Sequence, residues 1–333
     1  MGGMRPRRPL LAAVILVLLA ISGVILWMLR DPEPVFARRS GPLAAVDTLP
    51  RADHERDGTL VLRLRAETGL AATLAVRPAV PGPTAGEVAP TADATDAAGA
   101  SDTGRHPLVL ILGGQQRGRG AVALVDSIPG VVLAALDYPY EGNPAPRGLV
   151  ATLAQVPAIR RAFYDTPPAV SLALDHLLQR PDVDPTRVEL VGASFGAPFA
   201  TIAAARDPRI TRLWLAQGGG RPFLLLDASL HRDVPWRIPR LALAGLGTLL
   251  ISGPRFAPEH WIARVAPRPV VFLDSREDER IPAASREALF TAAREPKSRI
   301  WLDGPHMMGS RPQVIRAVVD SILPRIVATP PRR

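Results

Sequence analysis

The chain has 333 residues, 47% of them hydrophobic, a formal net charge of +9 and no cysteine. Disulfides and thiolate metal sites are therefore excluded, and the few histidines show no metal-binding spacing, so neither a metal nor a cofactor is expected. The basic excess is almost wholly arginine, since Lys297 is the sole lysine, and it is scattered rather than blocked; with no nucleic-acid-binding motif beside it, it reads as compositional bias and no nucleic-acid partner is expected.

Residues 1–9 form a basic flank with Arg5, Arg7 and Arg8, and residues 10–29 are an uninterrupted apolar run. Twenty helical residues rise roughly 30 Å, enough to cross the hydrocarbon core of a bilayer. The run is longer than the apolar core of a secretory signal, and Trp27-Met28-Leu29-Arg30-Asp31-Pro32 is a poor cleavage context. We read it as a single-pass signal anchor, with the positive N-terminal flank inside and the remaining chain on the extracytoplasmic side. Residues 30–56, rich in Pro, Arg and Asp, read as a linker. A domain is expected over 57–328, long enough for one core.

That domain opens on a β-hairpin, with strands at 59–65 and 70–77 joined near Gly69. Residues 78–105 are rich in Ala, Pro, Thr and Gly and nearly free of large apolar side chains, which reads as a mobile insertion. From Pro107 onward strand-like and helix-like segments alternate: a strand at 107–112, a helix near 119–127, a strand at 131–136, a helical region at 149–179, and strands at 187–191 and 211–216. Such alternation argues for an α/β fold with a mostly parallel sheet flanked by helices. Residues 218–267 form a long insertion carrying Trp236, Phe256 and Trp261, and read as a cap over the site, as a membrane-facing surface, or as ordinary packing on the core. A last helix is expected over 313–327.

The strand at 187–191 runs into Gly192-Ala193-Ser194-Phe195-Gly196 and then a helix-like segment. Strand, Gly-x-Ser-x-Gly and helix in this order form a sharp turn that lifts a serine hydroxyl above the sheet, and Gly192 and Gly196 spare the turn two steric clashes. A serine needs a base, and the base an orienting acid; on this architecture they follow in the order Ser, acid, His. Three histidines follow Ser194: His231 and His260 in the long insertion, and His306 in the turn after an apolar strand at 299–302. His306 is where the base belongs. The acid belongs after the strand at 268–273, where Asp274, Glu277, Asp278 and Glu279 compete. Asp278, three residues before Ile281-Pro282, fits best.

Together these residues resemble the α/β-hydrolase superfamily, and within it the dienelactone-hydrolase-like and acyl-hydrolase branch. The likeness runs through the serine turn, the stretch 262–271, Asp278 with Ile281-Pro282, the stretch 289–297 and Gly304-Pro305-His306-Met307, and covers about 57–328. One departure is that dienelactone hydrolases proper use a cysteine nucleophile. The resemblance implies an oxyanion hole made by the backbone N–H of Phe195 and by the loop after the 107–112 strand, where Gly113-Gly114-Gln115 makes Gln115 the second donor. That glycine-rich loop lacks the spacing of a phosphate-binding loop or a dinucleotide fingerprint. The expected activity is a serine hydrolase acting on a small-molecule or lipid-like carboxylic ester or thioester. An acyltransferase or peptidase on the same triad, and a non-catalytic anchored binding protein, are the alternatives.

Overall fold

Alternate residues of the central strands feed two separate cores, and this sets where the site lies. In the computed structural model, residues 30–52, 56, 58–80, 104–114, 117–126 and 128–327 are described, together with Leu16, Leu19, Ser22, Gly23 and Leu26. A nine-stranded sheet runs in the order β1-β2-β3-β5-β4-β6-β7-β8-β9. Its strands are β1 Leu43–Leu49, β2 Leu60–Ala66, β3 Ala71–Arg77, β4 His106–Leu112, β5 Val132–Leu136, β6 Val183–Ala193, β7 Arg212–Ala216, β8 Val270–Ser275 and β9 Lys297–Leu302. From β4 to β9 the pairings are parallel; β1, β2 and β3 add an antiparallel edge, joined through β3 to β5. Strands β4 and β5 are buried along nearly their whole length. That is why they read as continuous apolar runs rather than as alternating patterns.

On one face, Leu108, Leu110 and Leu112 of β4 meet the larger core, built with α3 (Val156–Leu177) and α4 (Ala197–Arg206). On the other, Val109 and Ile111 face a smaller core. Among the described residues, the 3-10 turn Gly118–Leu124 and the last helix, α8 (Pro312–Val327), cover this second face. The 3-10 turn Gly118–Leu124 thus stands where a helix was expected over 119–127. Gly118 sits at φ +42° and Gly120 follows within the same turn, and glycines weaken an α-helix by about 1 kcal/mol each.

The expected linker departs most from the sequence reading. Residues 30–56 hold α1 (Glu33–Arg39) and the edge strand β1. One aromatic side chain explains this. Phe36 is fully buried, with ring centroids 5.7 Å from Tyr164, 6.0 Å from Phe256 and 5.7 Å from Trp261. Around it, Glu33 pairs with Arg206 at 2.9 Å and Arg39 pairs with Asp165. A lone Phe in a polar stretch has no periodicity to announce it, and its partners lie far along the chain.

Residues 218–267 hold α5 (Pro222–Leu230), α6 (Arg237–Leu250) and three 3-10 turns. Their second half is ordinary core, with Phe256, Trp261 and Ile262 buried. The 10–29 run lies outside the described residues except at five positions, where Leu16, Leu19 and Leu26 are exposed. Among the described residues no helix is long and apolar enough to cross a membrane. The 78–105 insertion lies outside them from 81 to 103. Between β5 and α3 lies α2 (Leu149–Ala154), and α7 (Ala283–Ala292) follows β8.

Candidate active site

The C-terminal ends of β6, β7, β8 and β9 converge on one point, the place where open parallel sheets build their sites. Strand β6 ends at Ala193, and Ser194 turns the chain at φ +50° into α4. A non-glycine residue in the left-handed region is strained, and such strain persists only where the surroundings enforce it. Here the enforcement is steric. A Cβ on Gly192 would meet the Ala200 Cβ at 2.6 Å, and one on Gly196 would stand 2.1 Å from the Leu112 carbonyl oxygen. The tight turn therefore needs both glycines to hold Ser194 in place.

His306 comes from the loop after β9 and Asp278 from the loop after β8. Ser194 Oγ lies 2.8 Å from His306 Nε2, and His306 Nδ1 lies 2.9 Å from Asp278 Oδ2. His306 is 2% exposed and the Asp278 side chain 0%. The other oxygen of Asp278 accepts the backbone N–H groups of Arg280, at 2.9 Å, and Ile281, at 2.8 Å. Both oxygens of the Asp278 carboxylate are thus partnered.

The competing carboxylates stand elsewhere. Asp274, at the end of β8, pairs with Arg299 at 3.2 Å. Burial pushes its carboxyl up to about 6 against the pull of Arg299 and Arg286. Glu277 is exposed, as are His231 and His260. Glu279 has a different task. Its carboxylate accepts the His306 backbone N–H at 2.8 Å and pairs with Arg311 at 2.7 Å, while Arg311 also donates to the His306 carbonyl at 2.9 Å. Desolvation acts to raise the Glu279 carboxyl, but the His306 N–H and Arg311 outweigh it and hold it down at about 2.

Three further holders of the histidine loop escaped the sequence reading. Gln217, buried at the end of β7 with φ +50°, accepts the Met307 N–H and donates to the Pro305 carbonyl at 3.4 Å. Ser275 Oγ donates to the Gly304 carbonyl. Arg286 donates to the Ser275 carbonyl at 2.6 Å. The available signal was positional: Gln217 directly follows β7 and Ser275 ends β8, the two strands after the one that leads into Ser194.

The loop after β4 is pinned from β5. Tyr138 Oη donates to the Gly113 carbonyl at 2.5 Å, and Asp137 accepts the Arg119 N–H at 2.7 Å. Burial pushes the Tyr138 phenol well above its ordinary range, so it stays a hydrogen-bond donor. Phe195, next after the serine, stacks edge-on against Tyr138 at 5.2 Å. Gly113 and Gly114 flank the same cavity as Ser194 and Phe195; Gln115 lies outside the described residues. Among the described residues no cluster of metal-ligating side chains occurs.

No family model matches the chain. Among curated proteins it is similar to an uncharacterized protein, YfhR, of Salmonella typhi, at 32% identity over 136 residues, which is 40% of this chain and 45% of that protein. YfhR of Escherichia coli strain K12 is 29% identical over 136 residues, 40% of this chain and 43% of that one. The chain thus spans less than half the length of these curated relatives. Similar solved structures include an acetyl xylan esterase from Paenibacillus sp. R4, with a TM-score of 0.55 and 16% identity, covering 87% of this chain and 91% of that one. The α/β hydrolase GrgF from Penicillium sp. sh18 has a TM-score of 0.53 and 15% identity, covering 85% and 97%. Acetyl xylan esterase 1 from Thermoanaerobacterium sp. JW/SL YS485 has a TM-score of 0.52 and 14% identity, covering 87% and 93%. The chain has the α/β-hydrolase fold.

Proposed function

We propose that this protein is a membrane-anchored serine hydrolase that cleaves a carboxylic ester or thioester through an acyl-enzyme. One observation carries the reading: the unbroken hydrogen-bonded line from a strained Ser194 through His306 to Asp278, at 2.8 and 2.9 Å. In this reading Ser194 Oγ attacks the acyl carbonyl while His306 Nε2 takes its proton. Asp278 keeps the imidazole in the tautomer that can accept that proton and stabilises the imidazolium. The Phe195 N–H and a donor from the loop at Gly113, Gly114 and Gln115 meet the developing oxyanion. His306 returns the proton to the leaving group, and water then resolves the acyl-enzyme by the same route. Glu279, Arg311, Gln217 and Ser275 are positioning residues that hold the histidine loop. The acetyl xylan esterases among the similar structures support an ester as the substrate class.

Anchoring belongs to the same reading. The apolar run 10–29 ends at Arg30, whose carbonyl accepts a hydrogen bond from Arg255 at 3.2 Å. Six residues on, Phe36 locks α1 into the core, so the domain would lie close against a bilayer. Helix α6 also carries exposed apolar side chains, with Ile238 83% exposed and Trp236, just before the helix, 71% exposed, a composition suited to a membrane interface. The orientation proposed is single-pass with the catalytic domain on the extracytoplasmic side. A C-terminal reporter active only in the cytoplasm contradicts that orientation. For the chemistry, rapid mixing with p-nitrophenyl acetate should release a burst of p-nitrophenol and leave an acetyl group on Ser194. Turnover without a burst, and with no trapped acyl-enzyme on acid quench, speaks against the covalent route.

A further inference from the structure

Among the described residues, the second face of the sheet is covered by the 3-10 turn and α8, and a space lies between them and the sheet behind Ser194. A cavity of about 570 Å³ runs from the catalytic residues between the sheet and its two covering elements. Val109 and Ile111 of β4 and Leu133 of β5 form its floor; Ala121 of the 3-10 turn and Val318 and Ile322 of α8 form its roof. Among the described residues the polar side chains on its walls are Ser194, His306, Arg117, Arg280 and Ser310, and the remainder is aliphatic, aromatic, methionine or glycine. The volume falls within the range of small-molecule sites, about 300–1,000 Å³. A void this apolar is suited to hydrocarbon rather than to water.

Its depth follows from the strand. Val109 and Gly113 both line it, and four strand residues span about 13 Å. An extended alkyl chain advances about 1.25 Å per carbon, so about ten carbons fit along that floor. Because the cavity runs from the serine between the sheet and its covering elements, it suits the part of the substrate that stays attached during turnover. The leaving group, protonated by His306, must instead depart toward solvent for water to replace it.

We propose, resting on the serine-hydrolase reading above, that this cavity is an acyl-chain pocket and that the substrate is an ester or thioester of an unbranched acyl group of about eight to ten carbons. The full chain in lipid nanodiscs should be assayed on p-nitrophenyl esters from acetate to hexadecanoate, and on acetates of alcohols from ethanol to decanol. Each added acyl methylene buried should raise kcat/KM roughly threefold to fourfold. The rise should stop near decanoate and reverse by tetradecanoate, while the alkyl acetates show no such rise. Val318→Trp and Ala121→Phe, each filling the roof, should lower the ratio of kcat/KM for decanoate over acetate at least about tenfold. Should these variants fail to fold, Ser194→Ala mixed with decanoate gives an independent readout by calorimetry: binding of decanoate but not of butyrate supports the pocket. A flat acyl profile with Ser194-dependent hydrolysis overturns the pocket and leaves the hydrolase reading standing. Dependence on alcohol length instead overturns the acyl assignment. Absence of Ser194-dependent hydrolysis of every ester, acetate included, overturns the hydrolase reading and the substrate assignment with it.

Discussion

Asp278→Asn is the substitution whose consequence the geometry constrains most tightly. One carboxylate oxygen accepts two backbone N–H groups, from Arg280 and Ile281, and the other faces His306 Nδ1 at 2.9 Å. An amide in the same place keeps its carbonyl on the two backbone donors, because only an acceptor satisfies them. Its NH2 group must then face Nδ1. The imidazole responds by carrying its hydrogen on Nε2, which points at Ser194 Oγ and can no longer accept the serine proton. The fold should hold, since the two backbone bonds survive, but kcat should fall about 10⁴-fold, or roughly 5.5 kcal/mol of barrier. The matching control is Asp274→Asn. That carboxylate is buried against Arg299 and makes no bond to His306. Its substitution should leave a folded protein whose kcat changes less than about fivefold. Steady-state hydrolysis of a p-nitrophenyl ester and thermal melts of both variants make the assay. More than a tenth of parental kcat in Asp278→Asn, or a collapse of kcat in a folded Asp274→Asn, refutes the reasoning.

Other perturbations test the frame around the site. Gly196→Ala places a Cβ 2.1 Å from the Leu112 carbonyl oxygen, a clash with backbone that no rotamer relieves, so the variant should be inactive and melt lower than the parent; a fully active Gly196→Ala contradicts the steric account of the turn. Phe36→Ala should cost about 3–5 kcal/mol and expose α1 to proteolysis; equal melting of variant and parent would show that α1 is not anchored as described. The Glu279 carboxyl is held at about 2 in the folded protein against an ordinary 4.5. A carboxylate depressed by folding contributes stability that is present above 4.5 and lost as pH falls toward 2. The parent should therefore melt above Glu279→Gln at pH 6, with the gap closing below pH 4.5; a gap independent of pH rules out this origin.

The alternation of strands and helices from β4 onward was legible because buried parallel strands must be apolar along their length. The serine turn was legible because its glycines answer a steric demand local to a few residues. The placement of Asp278 and His306 beside Ser194, although they stand 28 residues apart, was legible because chain order and strand ends restrict which acidic and histidine side chains can meet there. What lay hidden depends on encounters between distant segments. Phe36 reads as an isolated aromatic until Tyr164, Phe256 and Trp261 surround it. Gln217 and Glu279 act through backbone groups of another loop, and backbone groups leave no trace in residue type. The cavity arises because a short 3-10 turn stands where a helix was expected, and no pattern of residues states the volume left empty beneath it.

The central claim is that Ser194 is an activated nucleophile. Treatment of the folded protein with a fluorophosphonate, read by intact mass and peptide mapping beside Ser194→Ala, tests it most directly. The account predicts one adduct, on Ser194, and none on the variant; an unlabelled, well-folded parent, or equal labelling of both proteins, would contradict it.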